Sequence, residues 1–384
     1  MSEKIITEKE KQHYVPQFYL RNFSTNNKSI GMYLFSEHKL IRCASIKDNF
    51  NLSYYYGEDG KIEDGLAELE GKWNIIIKQV INTHILPTST EDLLLLRLLF
   101  LLQSVRTKYK GDEGDDYYTK LISNILSYED FDLYSKIKGK FKIKSKHPTV
   151  QFIDVVFDLI PQTYDLKINL IINESNLDFI SSDNPVVFCN QLFESKKIRR
   201  GFGIANIGIQ YLLPISPNLL LCMYDPDVYD LNSYHIKHTS KIKKINSMII
   251  NNSYESLVFK LNDNNSNMID YIKRSAKKRA TANINPVFSD NILVFSNRQL
   301  RGNYDLSNFF TIKEQYVNMK ILDHTEEEIK QQLKNNLLKQ LKKKLDQGEL
   351  QKVIANNEIA FVPASFHNYV RPWASRFIKD KEEN

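Results

Sequence analysis

The stretch HYVPQFYLRNF, from His13 to Phe23, combines a histidine, a proline and an arginine in an otherwise apolar run near the start of the chain. A neutral imidazole serves as general acid, general base or metal ligand near pH 7. The alternative is structural, with His13 hydrogen-bonded inside a packed arm whose aromatic side chains fill apolar positions. Both interpretations predict an arm that is fixed to the rest of the protein, because chain termini fray unless they are tied down.

A second group of polar residues lies on two predicted helices that follow this arm. Glu63 and Glu70 are seven residues apart, nearly two helical turns, so they lie on the same side of one helix. Gln103 and Arg106 are three residues apart on the next helix and share a face. An unpaired buried Arg106 would be costly, so it requires a carboxylate or a ligand. The group either binds a phosphate or a divalent metal, or forms a structural ion pair between two antiparallel helices.

The third candidate is the segment FISSDNPVVF, in which a predicted strand runs into Asp183 and Asn184. Pro185 forces Asn184 out of the helical region of backbone space. Asp183 at a strand end is well placed to bind a metal, to act as a base or to hold an arginine. Its structural role would be to cap backbone N–H groups in a turn, and the sequence leaves both roles open.

Basic segments form a candidate surface for polyanions. KIKGKFKIKSKHP has a lysine at every second position, which indicates either a strand with one cationic face or a basic loop. Lysine and arginine neutralise phosphates, and interleaved aromatic rings stack on bases, so the segment is either a surface that binds nucleic acid or a solvated charged face. The predicted substrate-binding residues are Asn184, Lys140, Lys142, Arg199 and Arg200.

The elements that position these residues follow from hydrophobic periodicity. Apolar residues from Ile62 to Val80 recur at helical spacing and predict an amphipathic helix that ends near Asn82. The segment PTSTEDLLLLRLLFLLQSVRTKYK begins with a capping box, Thr88 to Glu91, and is apolar on nearly every side, which predicts a buried helix. The GDEGDD that follows is expected to interrupt helical structure.

Beyond Pro161 short β-branched runs separated by Asn, Asp, Pro and Ser predict a sheet, and a capped helix is expected from Thr325 to Leu345. We therefore expect an α+β fold, with a helical N-terminal part packed on a mixed or antiparallel sheet and with C-terminal helices. These parts have soft boundaries and are compatible with a single domain. The expected helical part, sheet-rich part and helical extension cover residues 1–161, 162–300 and 301–384.

Composition narrows the classes of protein to consider. The chain of 384 residues carries a formal charge of +6, which permits contact with nucleic acid without requiring it. Its most apolar run, LLLLRLLFLL, is too short to cross a bilayer and contains Arg97, so we expect no membrane contact. Three widely spaced cysteines argue against a disulfide scaffold or a zinc site and favour a reducing cytoplasm. Glycine-rich nucleotide loops, HExxH and GxSxG are absent, so the enzyme classes built on them have no support.

HYVPQFYLRNF together with SDNPVV resembles the bacterial family catalogued as domain of unknown function 4238. That family opens with H-x-x-P and L-x-x-F and continues with an acidic helix, a Q-x-x-R helix and an S-D-N-P strand end. The match extends from Gln12 to about Ser296. The resemblance implies that these motifs form one site, and it implies no reaction. The matching residues are His13, Pro16, Leu20, Phe23, Glu63, Glu70, Gln103, Arg106, Asp183, Asn184 and Pro185.

Our first hypothesis is a nuclease or related phosphodiester hydrolase, as a toxin or phage-defence effector. His13 would act as general acid or base, Arg106 would stabilise phosphate charge, and Glu70 and Asp183 would either hold a divalent metal, Mg or Mn, or orient the histidine. The predicted catalytic residues are His13, Glu70, Gln103, Arg106 and Asp183. The predicted metal ligands are Glu63, Glu70 and Asp183.

Two other hypotheses stay open. In one, the same residues form a structural network in a non-catalytic module that binds nucleic acid or a protein partner. In the other, the protein is a hydrolase or transferase acting on a small nucleotide.

Overall fold

The computed structural model describes residues 7–129, 131–196, 203–261, 272, 283–289, 292–298, 306–307 and 309–318. The predicted substrate residues Arg199 and Arg200 and the predicted helix from Thr325 to Leu345 lie outside the described residues. Every helix within the described residues is too short or too polar to span a bilayer.

Helices dominate the chain up to about residue 160, and most strands follow. The helices are α1 (Gln17–Arg21), α2 (Lys61–Thr83), α3 (Thr90–Val105), α4 (Lys108–Glu129), α5 (Phe131–Ile137), α6 (Val150–Leu159), α7 (Gln191–Ser195), α8 (Thr239–Asn252) and α9 (Glu314–Val317). The strands are β1 (Lys11–His13), β2 (Ser29–Leu34), β3 (Lys39–Ser45), β4 (Asn51–Ser53), β5 (Lys167–Asn173), β6 (Ser181–Ser182), β7 (Val187–Cys189), β8 (Gln210–Ser216), β9 (Leu219–Tyr224), β10 (Tyr229–Leu231), β11 (His235–Ile236), β12 (Ser256–Phe259), β13 (Asn283–Ser289), β14 (Ile292–Arg298) and β15 (Phe310–Ile312). The expected α+β fold is confirmed.

Two larger sheets connect the parts of the chain. One has the strand order β11-β5-β9-β8-β7, in which β11 and β5 are parallel and the other pairs antiparallel, so this sheet is mixed. The other has the order β3-β2-β12-β6 and is antiparallel. It pairs a hairpin from the N-terminal part with strands from the sheet-rich part. A shared apolar core also joins the parts, since Leu99 and Phe100 of α3 belong to the same cluster as Tyr211 and Leu213 of β8.

The helices α2 and α3 carry three of the predicted site residues, and a fourth, Arg106, is the C-cap of α3. Trp73 on α2 is 1% exposed, and its Nε1 donates to the carbonyl oxygen of Leu95 on α3 at 2.7 Å. The predicted cap of α3 at Thr88 is wrong by one residue. Ser89 is the N-cap and accepts from the Asp92 N–H at 3.1 Å, while its hydroxyl donates to the Asp92 carboxylate at 2.7 Å. This reciprocal bonding starts the helix one residue later.

The predicted helix interruption at GDEGDD is wrong, because α4 continues through it. Its glycines serve close packing instead of termination. A Cβ on Gly111 would lie 2.6 Å from the Tyr55 hydroxyl oxygen, and one on Gly114 would lie 3.3 Å from the Phe152 ring. Glycine at these positions lets the tyrosine and the phenylalanine approach the helix.

Candidate functional site

Arg106 is the C-cap residue of α3 and is 1% exposed. Its Nη2 donates to the His13 carbonyl oxygen at 2.6 Å and to Glu70 Oε1 at 2.8 Å, and its Nε donates to the Tyr56 hydroxyl at 3.1 Å. Its Nη1 is buried and has no hydrogen-bond partner among the described residues. The carboxylate that a buried Arg106 requires is therefore supplied by Glu70 of α2.

Gln103, one turn before Arg106, binds the next residue of the N-terminal arm. Its Nε2 donates to the Tyr14 carbonyl oxygen at 3.0 Å, and its Oε1 is buried without a partner among the described residues. Gln103 and Arg106 thus hold the carbonyls of two consecutive residues, His13 and Tyr14. In this chain, side chains of the Q-x-x-R segment therefore bind the backbone of the H-x-x-P segment.

Two residues that the sequence analysis did not select complete this attachment. Gln12 is fully buried; its Oε1 accepts from the Tyr56 N–H at 2.5 Å and its Nε2 donates to the Gly57 carbonyl at 2.9 Å. The Tyr56 hydroxyl donates to the His13 carbonyl at 3.2 Å. The sequence offered one indication of this role. Gln12 is next to His13 in an arm that is predicted to be buried, and a buried amide must find hydrogen-bond partners.

The imidazole of His13 faces the backbone that precedes β4. Its Nε2 lies 3.4 Å from the Ile46 carbonyl oxygen and 3.5 Å from Asn51 Nδ2, so both contacts are long. Burial lowers the pKa of His13, although the Ile46 carbonyl and the Glu70 carboxylate act in the opposite direction. His13 is consequently neutral at pH 7.

The carboxyl of Glu63 on α2 has a pKa that its surroundings shift strongly. Burial raises the pKa of its carboxyl to about 7, the Arg106 guanidinium acts to lower it, and Glu70 acts to raise it. Glu63 Oε2 is buried and has no hydrogen-bond partner among the described residues. Glu63 therefore exchanges its proton near neutral pH beside a cation and another carboxylate. We call His13, Glu63, Glu70, Gln103 and Arg106 the Arg106 cluster.

Asp183 makes its contacts with a different part of the chain. Its Oδ1 accepts from the Tyr254 N–H at 2.9 Å, and its Oδ2 accepts from the N–H groups of Glu255 at 2.6 Å and Ser256 at 3.1 Å. Burial raises the pKa of Asp183 to about 6, against the effect of these three bonds. Asp183 thus has the capping role that the sequence left open, with the difference that the capped groups lie 71 to 73 residues later.

Asn184 also forms hydrogen bonds that connect two parts of the backbone. Its Nδ2 donates to the Asn252 carbonyl at 2.9 Å, and Asn252 Nδ2 donates to the Asn184 carbonyl at 2.7 Å. The amides of these two residues therefore join the S-D-N-P turn to the end of α8. Asn184 is 5% exposed, whereas Lys140 and Lys142, with which it was grouped as a substrate-binding residue, are exposed.

The predicted metal ligands do not form one set. Glu70 binds Arg106, and both carboxylate oxygens of Asp183 accept from backbone N–H groups. Within the part of the chain that the structure describes, no three His, Cys, Asp or Glu side chains come together in a way that could hold a metal ion. The described residues thus do not bring Glu63, Glu70 and Asp183 together as one ligand set, and the Mg or Mn ion stays a prediction.

The basic segment KIKGKFKIKSK is a loop beyond its first two residues, which end α5, so the strand alternative is wrong. Lys142 Nζ lies 3.1 Å from Asp116 Oδ1, which ties the middle of the loop to α4. Lys140 and Lys144 are exposed. Among the predicted substrate-binding residues that the structure describes, Lys140 is the one that is open to solvent and outside any ion pair shown here.

The end of this basic loop lies against the segment that builds the Arg106 cluster. Lys146 Nζ is 2.9 Å from Glu58 Oε1, and His147 Nδ1 is 3.1 Å from the Tyr54 carbonyl oxygen. The segment from Tyr54 to Glu58 contains Tyr56, which contacts Arg106. The cationic loop and the Arg106 cluster thus share one supporting segment.

Comparison with known proteins gives one match. A family model described as "Protein of unknown function (DUF4238)" matches residues 11–263. No curated protein and no solved structure matches the chain. The matched range contains the H-x-x-P arm, α2, α3 and the S-D-N-P turn, that is, all residues of the Arg106 cluster and both residues of the turn.

Proposed function

The chain belongs to the DUF4238 family of proteins of unknown function, and from its geometry we propose that it is a nuclease-like phosphodiester hydrolase whose acid–base residue is Glu63. One observation carries this proposal. The pKa of the Glu63 carboxyl is about 7 and is influenced by the charge of the buried Arg106 guanidinium, and each side chain has a buried polar atom without a partner among the described residues. A general acid or base works best when its pKa is near the working pH, and guanidinium complements phosphate oxygens.

The proposal assigns a distinct task to each member of the cluster. Glu63 accepts or donates the proton, and Arg106 stabilises negative charge that develops on the phosphate. Glu70 orients Arg106 through the 2.8 Å ion pair, and Gln103 fixes the arm by its bond to the Tyr14 carbonyl. His13, neutral and held at long distance by Ile46, is a positioning residue in this scheme and not the principal acid or base.

The basic loop supports a polymeric nucleic acid as the substrate. Lys140 and Lys144 are exposed, and the loop ends against the segment that also supports Arg106. Exposed lysines attract the phosphate backbone without reading its sequence. A small nucleotide, the substrate of the third hypothesis, would not need this loop.

The test is cleavage by the purified protein and by Glu63→Gln, with single-stranded and duplex DNA and RNA, in magnesium, manganese or chelator. We expect Glu63→Gln to lose about 100-fold or more of the cleavage rate, because an amide cannot take up the proton. Glu68→Gln is the matched control, since Glu68 is on the same helix, is exposed and pairs with Lys72. Equal rates for Glu63→Gln and wild type would contradict the assignment, as would a failure to cut any polymer; hydrolysis of nucleotides alone would favour the third hypothesis.

A non-catalytic binding module is the second candidate, because most bonds of the motif residues go to the backbone. Asp183 accepts from three N–H groups, and Arg106 and Gln103 donate to main-chain carbonyls. This candidate predicts that Arg106→Ala loses about 3–5 kcal/mol of unfolding free energy, since it leaves Glu70 and the His13 carbonyl without their partner. Chemical denaturation measures that loss. A stable Arg106→Ala that binds nucleic acid but does not cut it would exclude the module and support the hydrolase.

A further inference from the structure

The short helix α5 exposes aromatic and aliphatic side chains directly before the basic loop. None of its seven side chains is buried; Phe131 is 67% exposed and Leu133 is 42% exposed. Exposed lysines follow at Lys138, Lys140 and Lys144. A helix of this length normally depends on burying an apolar face, so apolar side chains that stay exposed beside lysines indicate a surface for a partner.

Two rings and a cation lie on one face of this helix. Phe131 and Tyr134 are three residues apart and Lys138 is four residues further on, which is the spacing of helical neighbours. The Lys138 N–H donates to the Tyr134 carbonyl oxygen at 2.8 Å, so the helical pattern continues past the last residue of α5. The Phe131 and Tyr134 ring centroids are 6.2 Å apart, and Lys138 Nζ lies 5.5 Å from the Tyr134 centroid. Tyr134 therefore contacts both the exposed ring and the cation.

This face is continuous with the start of the basic loop. The Lys140 N–H donates to the Ile137 carbonyl oxygen at 2.8 Å, so the first exposed lysine of the loop is bonded to the end of the helix. The other end of the loop pairs with Glu58 through Lys146. Aromatic rings, lysines and the segment that supports Arg106 are thus connected along one stretch of chain.

A ring beside a cation complements a nucleotide whose base is uncovered. Every base has a face that stacks on an aromatic ring, and lysine neutralises the phosphate of the same nucleotide. In a duplex the faces of the bases are covered by neighbouring base pairs, so only the phosphates are available to the protein. A single strand presents both groups.

We propose that the face of α5 formed by Phe131, Tyr134 and Lys138, here called the α5 face, binds single-stranded nucleic acid. One base stacks on Phe131 and a phosphate lies beside Lys138. As a statement about the substrate this inference rests on the proposed function, because it names an unpaired strand as the form that is cut. The binding itself requires no cleavage and is tested separately.

Fluorescence anisotropy with a labelled single strand and with the duplex of the same sequence tests the α5 face, in chelator and with strand length checked afterwards on a gel. Phe131→Ala should weaken single-strand binding about 10-fold. The slope of log Kd against log salt should stay unchanged, because stacking releases no counterion. Phe157→Ala is the matched control, since Phe157 is 48% exposed on α6. Phe131→Trp keeps a ring, so it should keep the affinity and show indole fluorescence that the single strand quenches.

Three results would overturn the inference. The first is wild-type protein that binds the duplex as tightly as the single strand, and the second is Phe131→Ala with wild-type affinity for the single strand. The third is that Phe131→Ala keeps this affinity and instead loses binding to phosphatidylserine vesicles or loses self-association in ultracentrifugation. That result would assign the α5 face to a membrane surface or to a second copy of the chain.

Failure of this inference and failure of the proposed function give different results. A protein that binds single strands through Phe131 but cuts no substrate refutes the hydrolase and leaves the α5 face standing. Cleavage of single strands by Phe131→Ala with an unchanged KM refutes the α5 face and leaves the hydrolase standing.

Discussion

At the scale of single residues, burial and partners decide which of two similar side chains can react. Glu63 and Glu70 lie on the same side of α2, yet Glu70 forms the ion pair with Arg106 while Glu63 Oε2 has no partner among the described residues. Burial destabilises the charged form of Glu63 and thereby raises the pKa of its carboxyl. The same principle keeps His13 neutral, because burial lowers its pKa.

The raised pKa of Glu63 predicts a dependence of stability on pH. Its pKa is about 7 in the folded protein against an ordinary value of 4.5, so the folded state binds this proton more tightly than the unfolded state. The contribution of Glu63 to the unfolding free energy is full below pH 4.5 and is lost as the pH rises to 7. Glu63→Gln has no carboxyl to titrate and so does not lose this contribution. The unfolding free energy of Glu63→Gln minus that of the wild type should therefore be about 2 kcal/mol larger at pH 8 than at pH 4.5.

Urea denaturation at both pH values measures this difference. Asp183, whose pKa is also raised, affects the wild type and the variant equally, so its contribution cancels. Glu68→Gln should show no such change. A difference between Glu63→Gln and wild type that is the same at both pH values would show that Glu63 titrates normally.

At the scale of elements, the site depends on how α2 and α3 are held together and on what they hold. Trp73 links the helices through its bond to the Leu95 carbonyl. The end of α3 then binds the arm through Gln103 and Arg106. The S-D-N-P turn plays a corresponding role elsewhere, since Asp183 joins β6 to the start of β12. The Q-x-x-R and S-D-N-P motifs therefore lie where one element is hydrogen-bonded to another.

The joint between α2 and α3 can be tested with two substitutions on one helix. Trp73 is 1% exposed and Ile75 is 70% exposed. Trp73→Ala should lower the unfolding free energy by about 3–5 kcal/mol, because it removes a buried ring and an indole hydrogen bond. Ile75→Ala should change it by less than about 0.5 kcal/mol. Denaturation curves of both variants measure the effect, and equal losses would show that α2 does not pack as described.

At the scale of the whole molecule, the helical and sheet-rich parts are joined by shared structure. The hairpin β2–β3 pairs with β12, and the side chains of α3 and β8 belong to one core. The hydrogen bonds of the Arg106 cluster come from the N-terminal part, whereas those of Asp183 come from the sheet-rich part. The basic loop, by contrast, carries exposed charge beside the Tyr54–Glu58 segment.

This exposed charge predicts which lysines bind a polyanion. Lys140→Ala with Lys144→Ala should weaken binding to DNA or RNA and lower the dependence of log Kd on log salt by about 2, roughly one unit for each lost phosphate contact. Lys28→Ala with Lys167→Ala is the matched control, because both lysines are exposed and belong to other segments of the chain. Titrations at several salt concentrations measure both slopes. Equal slopes for the two double variants would place the nucleic-acid surface elsewhere.

The sequence by itself determined those features that depend on neighbours along the chain. Helical periodicity predicted α2, and the cost of a buried charge predicted a partner for Arg106. The prediction that GDEGDD interrupts a helix was wrong, because the glycines there make room for Tyr55 and Phe152, which approach from distant segments.

Only the tertiary structure decided which partner each polar side chain has. It selected Glu70 and not Glu63 as the partner of Arg106, and it turned Asp183 toward backbone groups that follow more than 70 residues later. It also raised the pKa of Glu63 to about 7. The physical reason is that pairing and desolvation depend on which distant groups surround a side chain, and the spacing of residues along the chain does not contain that information.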